Sequence, residues 1–101
     1  MGARLYASGM CRNITELRGL VPPATREEIE AAARQYVRKV SGITRAMPVV
    51  APAMESAAME IADITERLLG EMPSRRQPPS KLPPLRRPEV RSRLGLEPFT
   101  A

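Results

Sequence analysis

The segment Met10-Cys11-Arg12-Asn13-Ile14 holds the only cysteine of the chain. A thiol beside a guanidinium can do chemistry, because a neighbouring cation favours the thiolate, the form that attacks electrophiles and binds metals. If translation starts at Met10, removal of that residue leaves Cys11 with a free amino group next to its thiol, and both groups then titrate near pH ~8. Such a pair chelates a metal or acts as a nucleophile. The structural alternative is a half-buried thiol next to a helix cap, and we favour it because free cysteine is among the more buried residue types. Arg12 either binds an anion together with the free amides that open a short helix or pairs with Glu16, four residues on. Asn13 is most simply that helix's cap. Cys11, Arg12 and Asn13 are the candidate functional motif, and Cys11 is the one residue that offers a metal ligand.

A second group is cationic. Arg75, Arg76, Lys81, Arg86, Arg87, Arg91 and Arg93 crowd the C-terminal segment and could neutralise phosphates of a nucleic acid. No aromatic residue is interleaved among them to stack on bases. The carboxylates of Glu27, Glu28 and Glu30 also cluster, but helix capping and solvation account for them without acid-base catalysis. Other chemistries lack their residues. The chain has no histidine, hence neither the commonest general base nor the usual nitrogen ligand of zinc. Its six glycines are scattered, and none forms a phosphate-cradling G-x-G-x-x-G or G-K-[ST] setting. We expect no catalytic residue, no cofactor and no protein-built metal site.

Charge is unevenly placed. Residues 10 to 72 carry eight Lys and Arg against nine Asp and Glu, whereas residues 73 to 101 carry seven against two. The net charge of +5 therefore belongs to the C-terminal segment. A lone cysteine forms no intrachain disulfide and gives no sign of an oxidising compartment. No apolar run approaches the roughly 18 residues of a membrane span, and the opening MGARLYASGMCR lacks the apolar region of a secretory signal. The expected location is the cytoplasm.

The elements that must position these groups are helical. In PPATREEIEAAARQYVRKVSG, residues 22 to 42, Thr25 and Glu28 form the spacing of a capping box. Ile29, Ala32, Ala33, Tyr36, Val37 and Val40 recur at three- and four-residue intervals, which predicts one apolar stripe. Gly42 offers a left-handed end. A second helix is predicted from about Pro52 to Leu69, with Met54, Ala57, Ala58, Ile61, Ile64, Thr65 and Leu68 on one face and Gly70 as its stop. The segment NITELRGL adds a short leading helix, capped by Asn13 with Glu16 as the reciprocal partner. Seven of the eleven prolines lie from Pro73 onward, among few apolar residues, so that stretch is expected to stay disordered. No two of those prolines are three apart, which leaves out the strict PxxP signature.

The run MCRNI, LRGLVPPATREEIEAAARQYVRKVSG and EIADITERLLGEMPSRRQPP resembles a bacterial family catalogued as domain of unknown function 2277. Its motifs occur in order over about residues 10 to 79. The resemblance implies a small, mainly helical bacterial protein and brings no established activity, cofactor or catalytic residue. In two respects the chain departs from the family pattern. Nine residues precede Met10, as an extension or through an upstream start codon assigned in error, and MPVVAPAM stands where the family resembles a Pro-Ser segment with an Asn before the second helix.

The resulting expectation is an all-α protein. A short N-terminal helix and an antiparallel helical hairpin occupy residues 10 to 72, preceded by residues 1 to 9 and followed by a disordered, basic, proline-rich tail over 73 to 101. Its expected role is that of a non-enzymatic interaction module, completed by a twofold homodimer or a small protein partner because so small a hairpin has neither disulfide nor metal to assist its core. The alternatives are a nucleic-acid accessory protein that uses the tail and a thiol redox or metal-handling protein that uses Cys11. No membrane partner is expected.

Overall fold

The computed structural model of the chain describes residues 14 to 45, 47 to 75 and 77 to 99. Among the described residues the regular elements are all helical, with no strand. The chain divides into two compact units: residues 24 to 74 form one, and the segments on either side of them form the other.

The first unit is the expected hairpin. Helix α1 spans Arg26–Ser41 and helix α2 spans Ala51–Glu71. The Thr25 hydroxyl accepts the Glu28 amide at 3.1 Å, and the Glu28 carboxylate accepts the Thr25 amide at 2.8 Å. This reciprocal pair satisfies two amides that helix geometry leaves open. At the other end Gly42 is left-handed, at φ 73° and ψ 10°, and its amide reaches the Arg38 carbonyl at 2.9 Å. A turn over residues 47 to 50 then leads into α2, where the Met47 carbonyl accepts the amides of Val50 and Ala51.

Helix α2 runs two residues beyond the predicted end. Gly70 is not left-handed and stays within the helix. The stop lies at Met72, which is extended at φ −87° and ψ 148°, because Pro73 excludes the helical conformation from the residue before it.

The two helices meet through small side chains. Ala33 of α1 is buried, Ala58 of α2 is 1% exposed and Ala62 is fully buried. Ile29 and Val37 of α1 are buried as predicted, whereas Tyr36 and Val40 of the same stripe are exposed. On α2 the predicted face is displaced: Ala57, Ile64 and Leu68 are exposed, and the deepest residue is Ala62, which the prediction omitted. The cause is steric. Close helix approach selects methyl groups, while hydrophobic weight selects the largest side chains, and on this helix the two sit on different sides.

The second unit differs from expectation at both its segments. Residues 14 to 20 contain a turn and no helix. Gly19 is left-handed at φ 89°, which breaks a right-handed helix before it completes two turns, and Pro22 and Pro23 follow. The expected cap at Asn13 lies outside the described residues. In the segment expected to be disordered, a 3-10 turn forms over Pro84–Arg86 and a helix, α3, over Pro88–Leu94. Pro88 opens α3 without losing a usable donor, and Gly95 closes it in the left-handed region at φ 75°. The Leu96 amide then reaches the Arg91 carbonyl at 2.8 Å. Val90 is buried, so α3 has an apolar anchor that charge-rich composition conceals.

Two outcomes check this account. Thr25→Ala should destabilise the fold by about 1 kcal/mol in denaturant unfolding, as for other N-cap truncations. In amide exchange, Arg91, Gly95 and Leu96 should be protected well beyond the unbonded neighbouring residues 77 to 81; uniformly fast exchange across 84 to 96 would contradict the structured segment.

Candidate functional site

Three places on the described surface bring chemistry together. The first is a row of ion pairs along the hairpin. Arg26, in the first turn of α1, contacts Glu30 at 2.8 Å on its own helix, and Asp63 at 2.8 Å and Glu66 at 2.7 Å on α2. Two turns on, Arg34 makes a two-pronged contact with Glu55, its Nε and Nη2 at 3.1 and 2.6 Å from the two carboxylate oxygens. Glu30 lies between the two arginines, 3.6 Å from Arg34. The hydrogen bonds that the Arg26 guanidinium donates to Glu30, then Asp63 and Glu66, hold it further above its already high ordinary pKa. The Arg34 guanidinium is raised by its bond to Glu55, and the Glu55 carboxyl is held below the usual carboxylate value by the same bond. Glu55 is thereby held in the charged, accepting form. That is the state of a clamp and not of a general acid, which must keep its proton near neutral pH.

The second place is a cleft of about 190 Å³ at the loop end of the hairpin, where Arg34, Arg38, Thr44, Met54 and Glu55 line an open space. It is smaller than the ~300 to 1,000 Å³ of small-molecule sites. Both cations at its wall are engaged, Arg34 by Glu55 and Arg38 by Gln35 at 3.1 Å.

The third place is the outer side of α2. Ala57, Ile61, Ile64 and Leu68 follow one another at four, three and four residues, a single stripe on a helix. Ile64 is 57% exposed and Leu68 53%, Ala57 is exposed and Ile61 half-buried. Glu60, Arg67 and Glu71, all exposed, follow one edge of the stripe.

The predicted phosphate-binding cations are distributed otherwise. Arg86 is buried; its Nη2 donates to the Pro23 carbonyl at 3.0 Å, and its guanidinium lies 4.5 Å from the centre of the Phe99 ring. The Arg91 guanidinium lies 5.9 Å from the same ring, donates from Nη1 to the Leu85 carbonyl at 2.7 Å, and donates from Nε to the Glu97 carbonyl. Arg87 Nε donates to the Leu82 carbonyl at 2.8 Å. Arg75 Nη1 lies 3.4 Å from the Glu16 carboxylate and 3.3 Å from the Arg18 carbonyl, with its stem against Gly19. Lys81 and Arg93 are exposed. Arg76, Cys11, Arg12 and Asn13 lie outside the described residues, as does the pairing of Arg12 with Glu16. Among the described residues no group of three or more metal-ligating side chains forms, and no helix is long and apolar enough to cross a membrane.

Comparison with known proteins adds a family. The family model described as an uncharacterized conserved protein, DUF2277, matches residues 10–93. The chain belongs to the DUF2277 family. The match reaches well past residue 79, where the recognisable motifs end, and takes in the 3-10 turn and nearly all of α3. The structured part of the basic segment is thus within the DUF2277 unit. No curated protein matches the chain, and no solved structure does.

The row of ion pairs yields a pH prediction. A carboxyl whose folded pKa is depressed stabilises the fold above its unfolded value and loses that contribution as the pH falls through the folded one. Glu55→Gln should therefore lower the thermal midpoint at pH 7, and the gap to wild type should close as the pH drops below about 4. A gap that stays constant down to strong acid would show that the Arg34–Glu55 pair contributes nothing through its charge.

Proposed function

We propose that this DUF2277 protein is a non-catalytic helical interaction module whose docking face is the outer side of α2. What carries the reading is the exposure of Ala57, Ile64 and Leu68 in line, with Ile61 between them. Eleven residues of helix place the ends of that stripe about 16 Å apart, the scale of a helix-docking face. Scattered exposed apolar residues are ordinary, whereas a contiguous stripe rimmed by charge marks a contact surface. Full burial of an isoleucine or leucine is worth about 1.5 to 3 kcal/mol, and Ile64 and Leu68 leave half or more of their surface in water.

The ionisable groups support the same reading. Asp63, Glu66, Glu30 and Glu55 are engaged by Arg26 and Arg34, which commits these carboxylates on the hairpin rim to charge pairs along and between the helices. A phosphate-binding role for the C-terminal segment draws less support, because the guanidinium groups of Arg75, Arg86, Arg87 and Arg91 already donate to chain carbonyls. A steep salt dependence of DNA or RNA binding would favour that role instead.

The decisive comparison is the stability of two aspartate variants in dilute solution. Ile64→Asp should change the unfolding free energy by no more than about 1 kcal/mol, the scale of a surface substitution plus lost helix propensity. Ala62→Asp should abolish folding, since it puts a charge into the helix contact. Loss of several kcal/mol in Ile64→Asp would mean that the stripe belongs to the chain's own core and is not a docking face.

A further inference from the structure

The docking face described above is symmetric in a way that points to its occupant. Read forwards, the stripe is Ala57, Ile61, Ile64, Leu68; the spacings of four, three and four are the same read backwards. An identical helix laid antiparallel on it therefore sets Ile61 against Ile64 and Ala57 against Leu68, a small residue facing a large one at each end. Such alternation is how two helices interdigitate without a gap.

The charges on the edge follow the same symmetry. Glu60 and Arg67 are seven residues apart, two helical turns, so both lie on the same edge of the stripe. When two identical helices pack antiparallel about a twofold axis, each edge meets its own copy running the other way. Glu60 then faces Arg67 of the second copy, and Arg67 faces Glu60, so two opposite-charge pairs form across the axis. The midpoint of the stripe lies between Ile61 and Ile64, and the midpoint of the charge pair lies between Asp63 and Ile64. The two differ by about 1.5 Å along the helix, well within the reach of an arginine side chain. A parallel pair forms neither match, because each edge then meets the opposite edge, which on α2 is the side of Ala58 and Thr65 that turns inward. The exposed surface and the charge order agree on one arrangement.

We infer that α2 docks on α2 of a second copy of the chain, antiparallel, with Ile61 and Ile64 at the centre and Glu60–Arg67 pairs on the edge. This inference rests on the docking-face reading of α2. It is homotypic, so it needs no partner beyond the chain itself, and the charge order that favours a second copy has no reason to suit an unrelated helix.

Sedimentation of the full chain across the micromolar range tests it. We expect a reversible monomer–dimer equilibrium that Ile64→Asp shifts wholly to monomer. Glu60→Arg and Arg67→Glu should each weaken the dimer by about tenfold in Kd, because each sets like charges against one another at two places. The double variant Glu60→Arg/Arg67→Glu should recover wild-type association. A chain that is monomeric at every concentration overturns the inference, as does a dimer indifferent to Ile64→Asp or a double reversal as weak as the singles. Helical circular dichroism of Ile64→Asp separates this failure from that of the docking face. A folded Ile64→Asp with a monomeric wild type removes only the second copy, whereas an unfolded Ile64→Asp removes the docking face itself.

Discussion

The contact between α1 and α2 sets Ile29, Ala33 and Val37 of α1 against a surface of α2 whose buried residues are both alanines. Ala33, Ala58 and Ala62 are buried, and their small size favours close approach of the two helices. Everything else in the hairpin follows from that approach. Arginines of α1 at positions 26 and 34 reach across to carboxylates of α2, and they meet them at 2.6 to 2.8 Å. Exposed ion pairs of this kind add little to stability. Their effect is to set register, since sliding one helix along the other would separate both arginines from their partners at once.

An alanine seam has a consequence for energy. A methyl removes far less apolar surface from water than an isoleucine or leucine does, and hydrophobic stabilisation scales with that surface. The hairpin thus gains close packing and a defined register while leaving its larger side chains, Tyr36, Val40, Ile64 and Leu68, substantially in water. In a short chain without a disulfide the missing burial must come from elsewhere. The interaction reading of the α2 face is the functional expression of that shortage.

The parts of the fold governed by local rules were legible in the sequence. Thr25 with Glu28, and Gly42 after Arg38, mark the ends of α1 because capping depends on residues three or four apart, and the structure has both bonds. The end of α2 was misplaced at Gly70 because glycine permits a stop without imposing one, whereas Pro73 imposes it. Ala62 escaped notice since hydrophobic weight ranks it low; the spacing Ala58, Ala62 against Ala33 was the available signal. Helix α3 was hidden by the proline content around it, although Pro88 with Glu89 behind it and Gly95 just past the end form the start-and-stop pattern of a short helix. The roles of Arg75, Arg86 and Arg91 were not legible at all. Their carbonyl acceptors and the Phe99 ring lie at sequence distances from six to more than sixty residues, and no local pattern encodes them.

The central claim is that α2 buries Ala58 and Ala62 in the hairpin and leaves Ile64 and Leu68 exposed. Methyl relaxation by a soluble paramagnetic agent reads that distinction residue by residue. In dilute solution the methyls of Ala58 and Ala62 should be shielded while those of Ile64 and Leu68 relax strongly, with Ile64 and Leu68 becoming shielded as concentration rises. Shielding of Ile64 and Leu68 equal to that of Ala62 in the dilute chain would contradict the account.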